Sequence, residues 1–217
     1  AGKSAILQAL SLGLLGHPTT HELGTGLLAR VRRLVGGTRL DAEVNLWCRD
    51  SEGDQYISLR LTNQGTASES YDSGMRDFWD RARSSVIVAY GATRNLSEYL
   101  DSRHSDKSVE TQRQITLFDP LARIASAETL LQTHPPDSAF TRLFAQLLAA
   151  VFAQEIGVTV HGGAVQFTVE DEPVSAVDLP DGFRSSVAWL ADLCDAWCQT
   201  FPQQAEHATP ADIQAVV

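Results

Sequence analysis

The chain has 217 residues, 43% of them hydrophobic and 20% charged, and a formal net charge of −10. That balance belongs to a folded protein long enough for a sizeable core; it excludes a disordered chain and a broadly basic nucleic-acid surface. No apolar run approaches the roughly 18 residues of a membrane span, so no membrane partner is expected. Three cysteines, Cys48, Cys194 and Cys198, make no disulfide framework, and a reducing, cytoplasmic compartment fits them.

Residues 5–15 carry Ile6, Leu7, Leu10 and Leu14 on one helical stripe, which predicts a helix stopped by Gly16 and Pro18. A second short helix is expected over 27–34, with Arg30, Arg32 and Arg33 as a basic, solvated face and Gly36-Gly37 as its end. Residues 42–48 and 56–61 alternate apolar and polar side chains around a polar turn at 50–54. They predict two strands of a meander, followed by a loop over 62–77. The β-branched run 85–90, ending at Gly91, suits a buried strand of a central sheet. Residues 93–114 read as a polar surface excursion with some helix, and 120–131 as a helix ended by His134-Pro135-Pro136. The clearest helix covers 139–154. Phe140, Leu143, Phe144, Leu147, Leu148, Val151 and Phe152 hold its apolar stripe, and Asp137 or Ser138 can cap it.

Residues 158–160 and 164–169 flank His161-Gly162-Gly163 as a hairpin. The last helix, 184–198, is apolar at Val187, Leu190, Ala191, Cys194, Trp197 and Cys198. Its two cysteines share a face and read as buried thiols. Trp47, Trp79, Trp189 and Trp197 are expected as core or interface anchors. His17 and His21 have a metal-ligand spacing that the intervening Pro18 spoils. Strands and helices together predict an α/β protein.

Gly2-Lys3-Ser4 running into the 5–15 helix is the second half of the phosphate-binding pattern G-x-x-x-x-G-K-[ST]. Gly2 lets the backbone turn tightly around phosphates, and Lys3 supplies charge to the β- and γ-phosphates. The Ser4 hydroxyl binds Mg²⁺, and the helix start, including Ala5, turns its positive dipole end to the same anion. The cut through this motif, and the apolar run Ala215-Val216-Val217 at the other end, read as a segment of a longer protein.

The run Leu179-Pro180-Asp181-Gly182-Phe183-Arg184-Ser185 before an apolar helix resembles the signature segment of ABC-type ATPases of the SMC/RecF-like group. More narrowly, it is similar to a class of bacterial AAA-annotated ATPases whose segment reads L-S-D-G-[YF]-[RK]-[SA]. Val88-Ala89-Tyr90-Gly91-Ala92-Thr93-Arg94 resembles that class's Y-G-x-x-R strand end, and Leu117-Phe118-Asp119-Pro120-Leu121 its L-F-[DN]-P-L stretch. The resemblance implies a P-loop NTPase of ABC-ATPase-like architecture, with an antiparallel β meander and a helical lobe, as an incomplete domain. A P-loop helix and β subdomain would occupy 1–91 and the signature lobe 92–217. It implies ATP and Mg²⁺ as cofactors and a homodimer of heads with ATP sandwiched between them. The P-loop residues Gly2, Lys3, Ser4 and Ala5 of one head would hold the phosphates. Asp181, Gly182, Phe183 and Arg184 of the other would face the γ-phosphate, with Gly182 allowing close approach and Asp181 capping the helix or orienting the loop. ATP hydrolysis would then serve DNA repair or defence against foreign DNA, with DNA or an effector protein as further partner.

Two departures qualify that expectation. Pro180 stands where the family has a serine that reaches the γ-phosphate, and proline offers neither hydroxyl nor N–H. The family's hydrolytic Asp-Glu after an apolar strand has no counterpart: 167–172 (FTVEDE) reads as an exposed acidic turn, while 213–217 resembles the opening of that strand, which puts the carboxylates beyond Val217. Gln112 and Gln114 are candidates for the family's γ-phosphate-sensing glutamine, although glutamines in polar stretches are usually solvated. A degenerate, non-hydrolysing interaction module is the rival reading. A P-loop kinase or GTPase would need an acceptor site or an N-K-x-D motif, which the sequence does not display.

Overall fold

The computed structural model describes residues 3–32, 34–35, 37–50, 53–62, 65–71, 77–80, 85–91, 96–97, 106–152, 156–161, 164–169, 172–175, 178–213 and 215–216. Gly2, Arg33, Gly36, Ala92, Thr93, Arg94, Gly162, Gly163, Glu170, Asp171 and Val217 lie outside the described residues, as do the side chains of His17 and Arg30. The fold is mixed α/β with small sheets, and it divides into two units. One draws on 1–93, 103–122 and 216–217, the other on 94–102 and 123–215.

The first unit is organised by helix α1, Lys3–Val31, which bends at Gly16 and Gly24, both at φ 67. A residue with positive φ cannot continue a right-handed helix, so α1 is three successive helical stretches. The stop predicted at Gly16 is thus a true break in the helix, with a further helical stretch directly after it. The chain resumes because Pro18 falls in the first turn of the next stretch, where a missing N–H is not needed. At Gly16 a Cβ would meet the Trp79 indole at 2.6 Å, and Trp79 Nε1 donates to the Gly13 carbonyl at 3.1 Å.

The predicted stripe of α1 faces outward. Ile6, Leu7 and Leu10 are 63%, 47% and 40% exposed, while Ser11, Leu12 and Leu15 are buried. Two polar side chains, Gln8 and Ser11, hydrogen-bond to the 114–117 segment and turn their own face inward. The expected second helix is the stretch after Gly24, which ends at Val31, three residues short of the predicted end. After Val31 the chain forms β1, Leu34–Val35, and β2, Thr38–Arg39, paired antiparallel with two residues between them and Gly37 at φ 82. A double glycine serves a hairpin turn as readily as a helix stop. Arg32 is buried rather than solvated: its Nε donates to the Leu40 carbonyl at 2.9 Å, Nη2 donates to the Arg39 carbonyl at 2.8 Å, and Asp41 lies at 3.5 Å.

Strands β3, Ala42–Asp50, β4, Gly53–Thr62, and β5, Gly65–Tyr71, form the antiparallel meander. Alternation places Ile57, Leu59 and Leu61 fully inside. The third strand occupies the predicted loop, because main-chain bonds to β4 need no apolar side chains. Trp47 is no core anchor: it is exposed on the outer face, its ring 5.0 Å from that of Tyr56 across the pair.

Val86, Ile87 and Val88 are buried as their composition predicts. The strand is short, however: among the described residues β6, Val86–Ile87, belongs to a sheet of only two strands. Helices α2, Val109–Gln112, and α3, Ile115–Phe118, follow. Leu12, Leu28, Ile57, Leu59, Trp79 and Phe118 share one core.

In the second unit β7, Leu96–Ser97, pairs parallel with β8, Ile124–Ala125. Helix α4, Ala127–Thr133, starts later than predicted, because the Ser126 hydroxyl accepts from Thr129 N at 3.2 Å and so marks the helix start. Helix α5, Ala139–Phe152, has the predicted stripe, buried from Phe140 to Leu148, with Val151 left exposed. Of its two candidate caps, Ser138 acts, accepting from Thr141 N at 3.2 Å. Strands β9, Ile156–His161, and β10, Ala164–Val169, make the predicted hairpin, and β11, Glu172–Ser175, adds a third strand. Helix α6, Asp181–Thr200, packs on α4 and α5, and α7, Pro202–Ala205, follows it. Cys194 is buried on the α6 stripe; its hydrogen bond with Cys198, then burial, pushes its thiol far up, which suits an inert core thiol. Among the described residues no helix is long and apolar enough to cross a membrane.

Candidate functional site

Helix α1 begins at Lys3, so Lys3, Ser4 and Ala5 form its first turn, and all three are exposed. The first N–H groups of a helix have no intrahelical acceptor, and here no acidic side chain stands in that turn to take them. Positive dipole, Lys3 ammonium and Ser4 hydroxyl thus occupy one helix end, an arrangement that suits an anion with a hard cation beside it. Gly2 precedes the described residues.

Ser4, Gln8 and Ser11 follow at i, i+4 and i+7, a polar stripe along one face of the helix. Gln8 Nε2 donates to the Leu117 carbonyl at 2.8 Å. The Ser11 hydroxyl donates to Gln114 Oε1, and Gln114 Nε2 donates to the Ile87 carbonyl at 3.2 Å. Gln114 is completely buried, so it is not the solvated glutamine its polar neighbourhood suggests. Gln112, in contrast, is exposed and donates to the Lys107 carbonyl at 2.7 Å. Gln8 and Ser11 escaped the sequence reading. The signal available for them was two polar residues at helical spacing from Ser4 within an apolar stretch.

The strand end at 88–91 is fastened to the same segment. Ala89 N donates to the Arg113 carbonyl at 3.3 Å, and Gly91 N donates to Thr116 Oγ1 at 3.2 Å. A Cβ on Gly91 would meet the Thr116 carbonyl oxygen at 2.0 Å, so this close approach requires glycine. In the L-F-D-P-L stretch, Leu117 and Phe118 are core, and Asp119 accepts from Leu121 N at 3.0 Å in a turn that ends α3.

The second candidate group lies in the second unit. Helix α6 starts at Asp181, three residues before its predicted start, so Asp181, Gly182, Phe183 and Arg184 are its first turn and not a preceding loop. Pro180 is the N-cap, at φ −56 and ψ 142, without a side-chain capping bond. Proline is accepted there because its fixed φ suits a helix start. Asp181 is therefore not the cap; it sits one residue inside, where a carboxylate favours the dipole. Arg184 N already bonds the Pro180 carbonyl at 2.9 Å. Gly182 is exposed, and nothing would lie within 4 Å of a Cβ there. The Phe183 ring rests 4.6 Å from that of Phe152 and anchors the turn to α5.

Val169 pairs with Glu172 across β10 and β11, and Glu170 and Asp171, on which the expected acidic turn falls, lie outside the described residues. The chain matches no protein-family model and no curated protein.

Proposed function

We propose that this chain is the nucleotide-binding part of an ABC-type, SMC/RecF-like P-loop ATPase head. It would bind Mg·ATP at the start of α1 and pair with a second head through the start of α6. One observation carries the reading: the G-K-S tripeptide leads directly into a helix whose first turn exposes Lys3 and Ser4 with no competing carboxylate. Lys3 neutralises phosphate charge, Ser4 ligates Mg²⁺, and the free N–H groups of the turn complete the cradle. The bare backbone at Gly182 supports the second half, because a γ-phosphate can approach N–H groups there without meeting a side chain. ATP then holds two heads together and its loss releases them, a switch driven by differential binding. DNA repair or defence against foreign DNA is the setting the sequence resemblance suggests, with DNA or an effector protein as partner.

A second reading, a head that binds ATP without hydrolysing it, is favoured by Pro180, whose side chain makes no capping bond and has no hydroxyl to offer. Titration calorimetry of Mg·ATP into the full chain and into Lys3→Ala tests the main reading. The variant is expected to bind about tenfold more weakly or worse, a loss of about 1.4 kcal/mol or more. Equal affinities would remove the start of α1 from nucleotide binding. Steady-state phosphate release then separates a hydrolysing head from a silent one.

A further inference from the structure

Gln114 is a primary amide with no solvent exposure, next to the core residues Ile115, Leu117 and Phe118. Burying such a group costs free energy unless its oxygen and nitrogen are both bonded, and an apolar side chain would fill the space without that demand. Here both ends are used, the oxygen by the Ser11 hydroxyl of α1 and the nitrogen by the carbonyl of Ile87. Apolar packing is non-directional and lets a helix slide or rotate by a fraction of a turn. Two directional bonds from one side chain do not. Gln8, one turn nearer the start of α1, adds a third bond to the same segment, and Ser4 is one further turn along that face.

We propose that Gln114 is a positioning residue for the nucleotide end of α1. It locks the helix to β6 so that Lys3 and Ser4 meet the phosphates in a fixed register. This rests on the reading that Mg·ATP binds at the start of α1. Ser11 lies about 10 Å along the axis from Ser4, so a small rotation at Ser11 turns the Ser4 hydroxyl by the same angle about that axis. Pre-organisation of this kind appears in affinity, because an unlocked helix must be ordered when ligand arrives.

The experiment measures Mg·ATP affinity by calorimetry and folding by urea denaturation for the full chain, Gln114→Leu, Ser11→Ala and the double variant. Gln114→Leu keeps the core filled. Ser11→Ala removes only one hydroxyl and serves if the first variant does not fold. Each single variant is expected to weaken Mg·ATP binding about five- to tenfold at a temperature where it is fully folded. The double variant should be no weaker than the worse single one, since both remove one linkage. A folded Ser11→Ala whose affinity stays within twofold of the parent, even with a lowered urea midpoint, overturns the positioning role and leaves nucleotide binding standing. A parent chain that binds no Mg·ATP overturns both.

Discussion

Gly91 and Glu22 show how single residues in the first unit fix the elements around them. The Gly91 Cα lies so near the Thr116 carbonyl that a methyl group would sit 2.0 Å from its oxygen. That oxygen belongs to the backbone of α3 and cannot swing aside. Gly91→Ala is therefore expected to cost about 3 kcal/mol through overpacking, read as a lower urea midpoint with unchanged slope. Glu22 works through charge. Its carboxylate accepts from Ser108 N at 2.9 Å and from the Ser108 hydroxyl at 2.6 Å, while Lys107 Nζ donates to the Glu22 carbonyl at 2.6 Å. Burial raises the carboxyl. The bonds from Ser108 and Thr111, with the Lys107 charge, outweigh it and hold Glu22 below its ordinary value of 4.5. A carboxyl depressed in the folded state stabilises at pH values above its unfolded value, and the contribution disappears as pH falls through the folded one. Glu22→Gln should thus be less stable than the parent at pH 7. The gap between the two urea midpoints should close as pH drops below 4.5. A gap that stays constant with pH would mean that the clasp does not depend on the carboxylate charge.

At the scale of elements, the start of α6 separates stability from function. Gly182 is in the first turn of a 20-residue helix, with open space where a Cβ would go. Alanine suits a helix better than glycine by up to about 1 kcal/mol, so Gly182→Ala should leave thermal stability unchanged or raise it. If a γ-phosphate approaches this backbone, the added methyl blocks it, and ATP-dependent pairing should fall while Mg·ATP binding at α1 persists. Light scattering beside calorimetry on the same variant reads both. Unchanged pairing would detach the signature turn from the proposed role. Elements whose buried face is also their apolar face were legible in the sequence. The stripe from Phe140 to Leu148 and the alternation through Ile57, Leu59 and Leu61 are both inside. Elements held by other means were not. Strands β5 and β11 join their sheets through the main chain, with few apolar residues to announce them. On α1 the polar pair Gln8 and Ser11 decides which face is inward, so the apolar stripe gave the helix correctly and its orientation wrongly. The helix start at Lys3 and Ser4 was legible because the motif runs straight into an apolar stretch, whereas the start of α6 was placed three residues late. The roles of Ser11 and Gln114 depend on contacts more than 100 positions apart in the chain, which no local pattern carries.

At the scale of the whole molecule, the net charge of −10 bears on the proposed pairing of two copies. Two such chains repel at long range, and the proposed ATP would add negative charge that Mg²⁺ would offset in part. If copies pair through ATP as proposed, that pairing must overcome the repulsion by short-range contacts to phosphate. The Debye length shortens from about 30 Å at 0.01 M salt to about 10 Å at 0.1 M, which removes most repulsion between distant surface charges while leaving buried phosphate contacts little changed. The Mg·ATP-dependent dimer should accordingly strengthen as monovalent salt rises through this range. Duplex DNA binding would do the opposite, since it gains from counterion release and weakens steeply with salt. Sedimentation equilibrium of the full chain, with and without Mg·ATP across that salt series, measures the first; fluorescence anisotropy of labelled duplex measures the second. A mass that ignores Mg·ATP at every salt concentration would rule out ATP-driven pairing. A dimer that instead dissolves with salt would show that attraction between opposite surface charges, and not phosphate at the helix starts, holds the copies together.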